Sequence, residues 1–385
     1  MKKNPKILYF VTEDWYFCSH RLPLAQAARR EGFQVVVATN VNHHAGPIVS
    51  SGLKLIPLPL SRRGRNPRAE MKLLRKLAAV LRRERPDLLH NVALKPVILG
   101  TWAAKRVGTP AVINALAGLG HLYTSDHLKT RIIRWGVARV FRFLFRDPRV
   151  RAILQNPDDV EIFARNAFLP RDRIRLIRGS GVSVQDFQSS PERPGEPMII
   201  LASRMIRDKG IAEFVQAAEN LRANGVKARF ILVGEPDQEN PAAIPVRQLE
   251  AWHEAGTVEW WGHRTDMPAV MAQAHIVCLP SYYREGVPKV LLEGAASGRP
   301  IVAADAAGIR EIVRPGENGL LVPARDVPGL AAALRQLIEN PDLRRTLGRR
   351  GREIVEAEFT IEQVAAQTLD LYREILRASR QWPEN

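Results

Sequence analysis

Nine short runs rich in Val, Ile, Leu and Ala recur along the chain, and each is followed by a longer stretch with helical spacing of its apolar residues. The first five are KILYFV, QVVVAT, DLLHN, AVINA and AILQN; the other four are MIILAS, RFILVG, HIVCLP and PIVAA. Strand, helix, strand at these intervals is the pattern of parallel sheets covered by helices on both faces. The runs fall into two sets, so the expected fold class is α/β with two Rossmann-like, doubly wound sheets. A chain of 385 residues with 45% hydrophobic content can supply both cores. The Pro-, Ser- and charge-rich segment Gln185 to Pro197 reads as the linker between them. The expected domains are therefore residues 1–185 and 186–358, followed by 359–385. That last segment contains the amphipathic run TIEQVAAQTLDLYREILRASRQ, which should pack back on the first domain.

In doubly wound sheets, ligands bind beyond the carboxyl ends of the strands, so each strand-to-helix loop is a candidate site lining. Four loops carry suitable chemistry. After KILYFV comes TEDWYFCSHRLPL, where Ser19 can cap a helix with His20 and Arg21 near its start. After AVINA comes LAGLGH, a Gly-containing bend that places His121 at a strand end. After MIILAS comes RMIRDKG, with Arg204 and Lys209 just before a helical pattern. After HIVCLP comes SYYREGVPKVLLEGAASGRP, with Glu285 and Glu293 on either side of Gly286 and Pro288.

Pro288 suits the first position of a helix, and Gly298 and Pro300 stop it. Glu285 then sits at the helix mouth, and Glu293 lies roughly 7–8 Å along the axis. Between them, the backbone N–H groups from Gly286 to Lys289 and the positive end of the helix dipole favour an anion, most readily a phosphate. Two hydroxyl-seeking carboxylates around a phosphate-seeking helix end match a nucleoside diphosphate sugar. The plainer reading makes Glu285 a solvated loop acid and Glu293 a surface residue. Arg204 and Lys209 are open to the same pair of readings. They are either a diphosphate clamp, one bidentate and one a point charge, or solvated cations of an Arg-rich chain.

The runs SRMIRDKG, FILVGE and VEWWGHRTDMPAVMAQAHIVCLPSYYREGVPKVLLEGAASGRPIVAADAAGIREIVRPGENGLLVPARD carry the E-x7-E pair, the Arg and Lys before the first helix, and Gly308 to Val313 in order. This region resembles the second domain of the retaining GT-B glycosyltransferases of family 4, the group 1 glycosyltransferases. In the first half, SHRLPL, GLG and QNPDD resemble a subgroup that elongates lipid-linked oligosaccharides of bacterial envelope polymers. The resemblance implies two Rossmann-like domains facing across a cleft. Carried over, it implies that Glu285 holds a donor sugar hydroxyl while the N–H groups of Gly286 and Val287, at the helix start with Pro288 and Lys289, bind phosphate. Glu293 would accept from the ribose hydroxyls, and Arg204 with Lys209 would neutralise the departing diphosphate. His121 would position the donor, and Ser19, His20 and Arg21 would lie on the acceptor side. For both histidines a packing or capping role is the alternative.

Gly262 and His263, in WWGHRTD, should border the base pocket and could read uracil or guanine. Subgroup resemblance favours UDP-N-acetylhexosamine; a GDP-mannose-type donor is the alternative. No D-x-D motif stands out, Asp158 and Asp159 read as helix-capping residues, and neither cofactor nor metal is expected.

Residues 1–185 hold 33 Lys and Arg against 12 Asp and Glu, whereas the remainder holds 24 against 28. A basic first half points to a polyanionic partner. Its richest segment, HLKTRIIRWGVARVFRFLFRDPR, interleaves Ile132, Ile133, Trp135, Phe141 and Phe143 with Lys129, Arg131, Arg134, Arg139, Arg142 and Arg146. That mixture suits an interfacial helix on anionic lipid, or an ordinary helix burying its apolar side.

Nucleic acid would also match the charge but not the two sheets or the glutamate pair, and none is expected as a partner. A nucleotide-sugar epimerase on the same architecture is a further alternative, one that needs no acceptor. Two separate cysteines, Cys18 and Cys278, fit a reduced compartment. The N-terminal apolar run is broken by Glu13 and Asp14 and reads as a core strand, and no uncharged run reaches the ~18 residues that span a bilayer. The expected location is cytoplasmic, peripheral on the inner face of the cytoplasmic membrane.

Overall fold

The computed structural model describes residues 4–61, 66–118, 128–283 and 285–379. The chain forms two compact units, residues 1–180 with 361–385, and residues 181–360.

In the first unit, β1 (Lys6–Glu13), β2 (Gln34–Asn40), β3 (Lys54–Pro57), β4 (Leu88–Val92), β5 (Ala111–Leu116), β6 (Val150–Leu154) and β7 (Ile174–Leu176) make one sheet. Among the described residues it has seven strands in the order β3-β2-β1-β4-β5-β6-β7, all parallel. The five residues Ile7 to Val11 are all buried, because helices cover both faces of the central strand. The helices are α1 (Asp14–His20), α2 (Leu22–Arg30), α3 (Ala45–Ser50), α4 (Pro67–Glu84), α5 (Leu94–Val107), α6 (Leu128–Phe145) and α7 (Pro157–Arg165). Helix α4 shows why such segments fold as they do. The Asn66 side chain accepts the Arg68 N–H, and Pro67 occupies the first turn. Leu73, Leu74, Leu77 and Leu81 form its buried stripe.

The second unit contains β8 (Met198–Ala202), β9 (Arg229–Val233), β10 (Glu259–Trp260), β11 (Ile276–Leu279), β12 (Ile301–Ala304) and β13 (Gly319–Val322). They too are parallel, in the order β10-β9-β8-β11-β12-β13. Its helices are α8 (Ile211–Ala223), α9 (Val246–Glu254), α10 (Met267–Gln273), α11 (Lys289–Ala296), α12 (Ala307–Arg310), α13 (Val327–Glu339) and α14 (Pro341–Glu358). The stretch Gln185 to Pro197, read from sequence as a linker, belongs to this unit. Phe187 is buried in its core. Glu192 takes a two-pronged contact from Arg344 at 2.9 Å, Arg299 donates to Ser190 at 2.9 Å, and Arg352 donates to the Phe187 carbonyl at 2.6 Å. Its Pro, Ser and charge mark a surface strap fastened by arginines.

The chain ends in α15 (Ile361–Ala378), which returns to the first unit. Leu369, Tyr372, Ile375 and Leu376 enter the core on one face of the first sheet. Each of the three aliphatic side chains, fully buried, contributes about 1.5–3 kcal/mol. The Tyr372 hydroxyl lies 2.9 Å from that of Tyr9 and 2.5 Å from His90 Nδ1, so the helix is also fixed by polar contacts beneath it.

Candidate active site

The second sheet reverses its direction of strand order between β8 and β11, its switch point. The loops that leave these two strands, 203–210 and 280–288, are joined through Asp208. Its carbonyl accepts the Tyr282 N–H at 3.1 Å and lies 3.2 Å from Ser281 Oγ. Gly210 makes this approach possible: its φ is +77°, and a Cβ there would meet the Pro280 carbonyl at 2.3 Å. From the far side, Gly308 closes on the same loop, where a Cβ would lie 2.0 Å from the Gly286 carbonyl oxygen.

These contacts bring Lys209 and Glu285 together. The Lys209 ammonium is ion-paired with Glu285 Oε2, and Ser281 Oγ donates to Oε1 at 2.7 Å. Both oxygens of the carboxylate are thus held. Arg204, from the same loop as Lys209, pairs with Asp237 beyond β9 at 2.6 Å. The cations expected to await a phosphate each have a carboxylate partner. Pro288 is the N-cap of α11, one position before its expected place, and Lys289 is the first helical residue. Glu293, in the next turn, is 7% exposed and lies 3.4 Å from Lys289 Nζ. Burial pushes its carboxyl above the usual range, and the Lys289 charge offsets part of that rise. Gly286, Val287 and Pro288 are buried beside it. Gly262 follows the edge strand β10 with φ +63°, and its carbonyl accepts the Gly234 N–H at 2.7 Å. His263 beside it is exposed. Among the described residues, no group of three His, Cys, Asp or Glu side chains is placed to hold a metal ion.

Residues 6–154 match the "Glycosyl transferase 4-like" family and residues 196–340 match "Glycosyl transferases group 1". The chain belongs to the family 4, group 1 glycosyltransferases. A relative from Campylobacter jejuni, N,N'-diacetylbacillosaminyl-diphospho-undecaprenol alpha-1,3-N-acetylgalactosaminyltransferase, is 26% identical over 370 residues, covering 93% of this chain and 95% of its own. Two solved structures share the GT-B fold. HepE of Anabaena, in complex with UDP, has a TM-score of 0.77 at 18% identity, covering 96% of this chain and 100% of that one. Sucrose-phosphate synthase of Thermosynechococcus elongatus has a TM-score of 0.79 at 23% identity, with 97% and 100% covered.

In the first unit of this glycosyltransferase the expected acceptor residues lie at the C-terminal end of α1, the helix that follows β1. Ser19 does not cap the helix that follows: it sits inside α1, and the N-cap of α2 is Arg21, without a side-chain cap bond. The helix starts earlier than expected because Asp14 ties the turn after β1, accepting the N–H groups of Trp15, Asn42 and His44 at 2.8 Å. The His20 ring stacks on Tyr16 at 4.2 Å. Arg21 is buried, and its charge acts on Tyr9, His90 and Tyr372. His121 lies outside the described residues. At QNPDD, Asn156 caps α7 by accepting the Asp159 N–H at 2.8 Å, and its amide donates back to Asp159. Asp159 is therefore a partner of the cap, with Asn156 as the cap itself. Sequence reasoning missed Ser281 and Asp237. Ser281 stands in the same stretch as Glu285, but nothing in a loop sequence says which hydroxyl faces a carboxylate four residues on.

Proposed function

We propose that this glycosyltransferase transfers an N-acetylhexosamine from a UDP-sugar, with retention of anomeric configuration, to a saccharide carried on a polyprenyl diphosphate during bacterial envelope polysaccharide assembly. The observation that carries the reading is the pairing of Lys209 with Glu285 at the switch point of the second sheet, beside the start of α11. A cation and a hydroxyl-accepting carboxylate in one place suit the junction of a diphosphate and a sugar. The name of the Campylobacter relative supports the lipid-linked acceptor and the N-acetylhexosamine, and HepE was solved with UDP.

In the proposed reaction Glu285 accepts a hydrogen bond from a donor hydroxyl, and the first N–H groups of α11 meet the phosphates. Glu293 takes the ribose, and Gly262 with His263 borders the base. The acceptor hydroxyl attacks the anomeric carbon on the leaving-group face as the bond to the diphosphate breaks, and its proton passes to a diphosphate oxygen. Arg204 and Lys209 meet the charge that develops, so the step requires no metal. His121 positions the donor, and Ser19, His20 and Arg21 line the acceptor side.

The acceptor's lipid places the first unit on a membrane. Helix α6 supports this: Ile132, Trp135 and Phe143 are 62%, 63% and 55% exposed on a helix that also carries Arg131, Arg139 and Arg142. No helix among the described residues is long and apolar enough to cross a bilayer. Attachment is thus interfacial, on the cytoplasmic face where nucleotide sugars are available.

The test is incubation of the purified protein with UDP-N-acetylgalactosamine or UDP-N-acetylglucosamine and a short-chain polyprenyl-diphosphate saccharide, with and without EDTA. A lengthened glycolipid with an α linkage, formed equally in EDTA, is expected. Transfer from GDP-mannose alone would replace the donor assignment, and a free epimerised nucleotide sugar would replace the reaction.

A further inference from the structure

We propose that Ser281 is a positioning residue for the transfer, acting through Glu285; the inference rests on reading Glu285 as the group that holds the donor sugar. The Ser281 side chain is 0% exposed. Its hydroxyl lies 2.7 Å from Glu285 Oε1 and 3.2 Å from the Asp208 carbonyl oxygen, and it accepts the Tyr283 N–H at 3.4 Å. A hydroxyl has one proton to give. The carboxylate, charged and nearer, is the stronger acceptor. The bond therefore runs from a buried residue two positions past β11 to one four positions on, and ties the Glu285 carboxylate to the part of the loop held against Asp208.

The other oxygen, Oε2, is held by Lys209. The two anchors differ in kind. Ser281 is neutral and 0% exposed, whereas Lys209 is a cation, 9% exposed, and a diphosphate bound beside it would compete with Glu285 for its charge. As Lys209 turns toward phosphate, Ser281 is the anchor that still fixes the plane of the carboxylate. The terminal torsion of a glutamate is broad and roughly two-fold. Without the serine the carboxylate would present its lone pairs over a range of angles, and misplacement by about 1 Å can cost on the order of 100-fold in rate.

The experiment is a double-mutant cycle on the full chain with Ser281→Ala, Glu285→Gln and the double variant. Turnover with the UDP-sugar, affinity for UDP and unfolding temperature are measured for each. Ser281→Cys, close in volume and a weak donor, serves if the alanine variant does not fold. Ser281→Ala is expected to lower kcat roughly 10- to 100-fold. UDP affinity should stay within about two-fold, because UDP lacks the group that Glu285 holds. In the Glu285→Gln background the same change should cost less than about two-fold.

An undiminished loss in that background, or a loss of UDP affinity as large as the loss of turnover, would show a general loop role and overturn the proposal. Wild-type turnover in Ser281→Ala with an impaired Glu285→Gln overturns it alone. Wild-type turnover in Glu285→Gln overturns the reading of Glu285 on which it rests.

Discussion

Lys209 and Glu285 reach each other from loops that follow two adjacent parallel strands, and their ion pair joins the two halves of the switch point. One member is suited to phosphate and the other to a sugar hydroxyl, so the pair is the hinge of the proposed chemistry. Replacing Lys209 by Ala removes a charge that acts on the departing diphosphate and leaves Glu285 still bonded to Ser281. Turnover should fall by about 100- to 1,000-fold while circular dichroism stays native. A folded Lys209→Ala protein with wild-type turnover would remove Lys209 from the mechanism.

Glu293 gives a prediction with opposite signs for stability and binding. Burial first, tempered by Lys289, raises its carboxyl pKa in the folded protein. The folded state then binds more protons than the unfolded state above the ordinary carboxylate range, so this group's contribution to stability falls as pH rises through the folded pKa. Glu293→Gln abolishes that loss. Its unfolding midpoint near pH 7.5 should equal or exceed that of the wild type, while UDP binds roughly ten-fold more weakly, as for a lost hydrogen bond to a charged group. Calorimetry with UDP titration reads both, and unchanged UDP affinity would free Glu293 from the ribose.

His275 predicts acid sensitivity in the second unit. Its Nδ1 accepts the Met198 N–H at 3.0 Å, and Nε2 lies 2.9 Å from the Arg193 carbonyl oxygen, so the neutral ring fastens the 185–197 strap to β8. Burial lowers its pKa, with Arg344 and Arg299 adding to the shift and the Arg193 carbonyl and Glu192 opposing it. A depressed histidine pKa means stability that is complete above the unfolded value of about 6.5 and lost as pH falls through the folded value. His275→Asn keeps an acceptor near Nδ1 and cannot titrate. Its unfolding midpoint should therefore change less between pH 7.5 and 5 than that of the wild type, by about 2–4 °C for each kcal/mol involved. Parallel pH profiles would assign the acid sensitivity elsewhere.

The strands that sequence reasoning located are the inner ones, buried on both faces and mostly apolar, with His90 and Asn91 in β4 and Asn114 in β5 as polar interruptions. The four it missed, β3, β7, β10 and β13, are all sheet edges. They are two to four residues long, and KLIP, IRL, EW and GLLV hold too few buried positions to stand out. The glutamates, Arg204 and Lys209 were legible because their spacing from strand ends places them beyond the carboxyl ends of two adjacent central strands, β8 and β11. Their partners were not. Asp237 meets Arg204, and Ser281 meets Glu285, through loop geometry that carries no periodicity. Arg21 illustrates the same limit in the first unit: its position after β1 was readable, but that its charge acts on Tyr372 depends on a helix that arrives some 350 residues later.

Helix α6 supports the last prediction. A solvent-facing Trp, Phe and Ile on one helix is an apolar patch that a lone soluble surface has no use for. Two cations lie over its rings, Arg139 at 4.9 Å from the Trp135 centroid and Lys105 at 4.2 Å from that of Phe143, a combination suited to anionic headgroups above acyl chains. The full chain should therefore sediment with vesicles containing phosphatidylglycerol and not with phosphatidylcholine alone. Binding should weaken as salt rises from about 10 mM to 150 mM, where the Debye length shrinks from about 30 Å to 8 Å. Trp135→Ser with Phe143→Ser should reduce vesicle binding by at least about ten-fold, since each ring contributes about 1.5–3 kcal/mol when buried. The unfolding temperature and KM for the UDP-sugar should not move, because neither side chain belongs to the core or to the second unit. If the wild type fails to bind anionic vesicles even at low salt, membrane attachment through this helix is excluded.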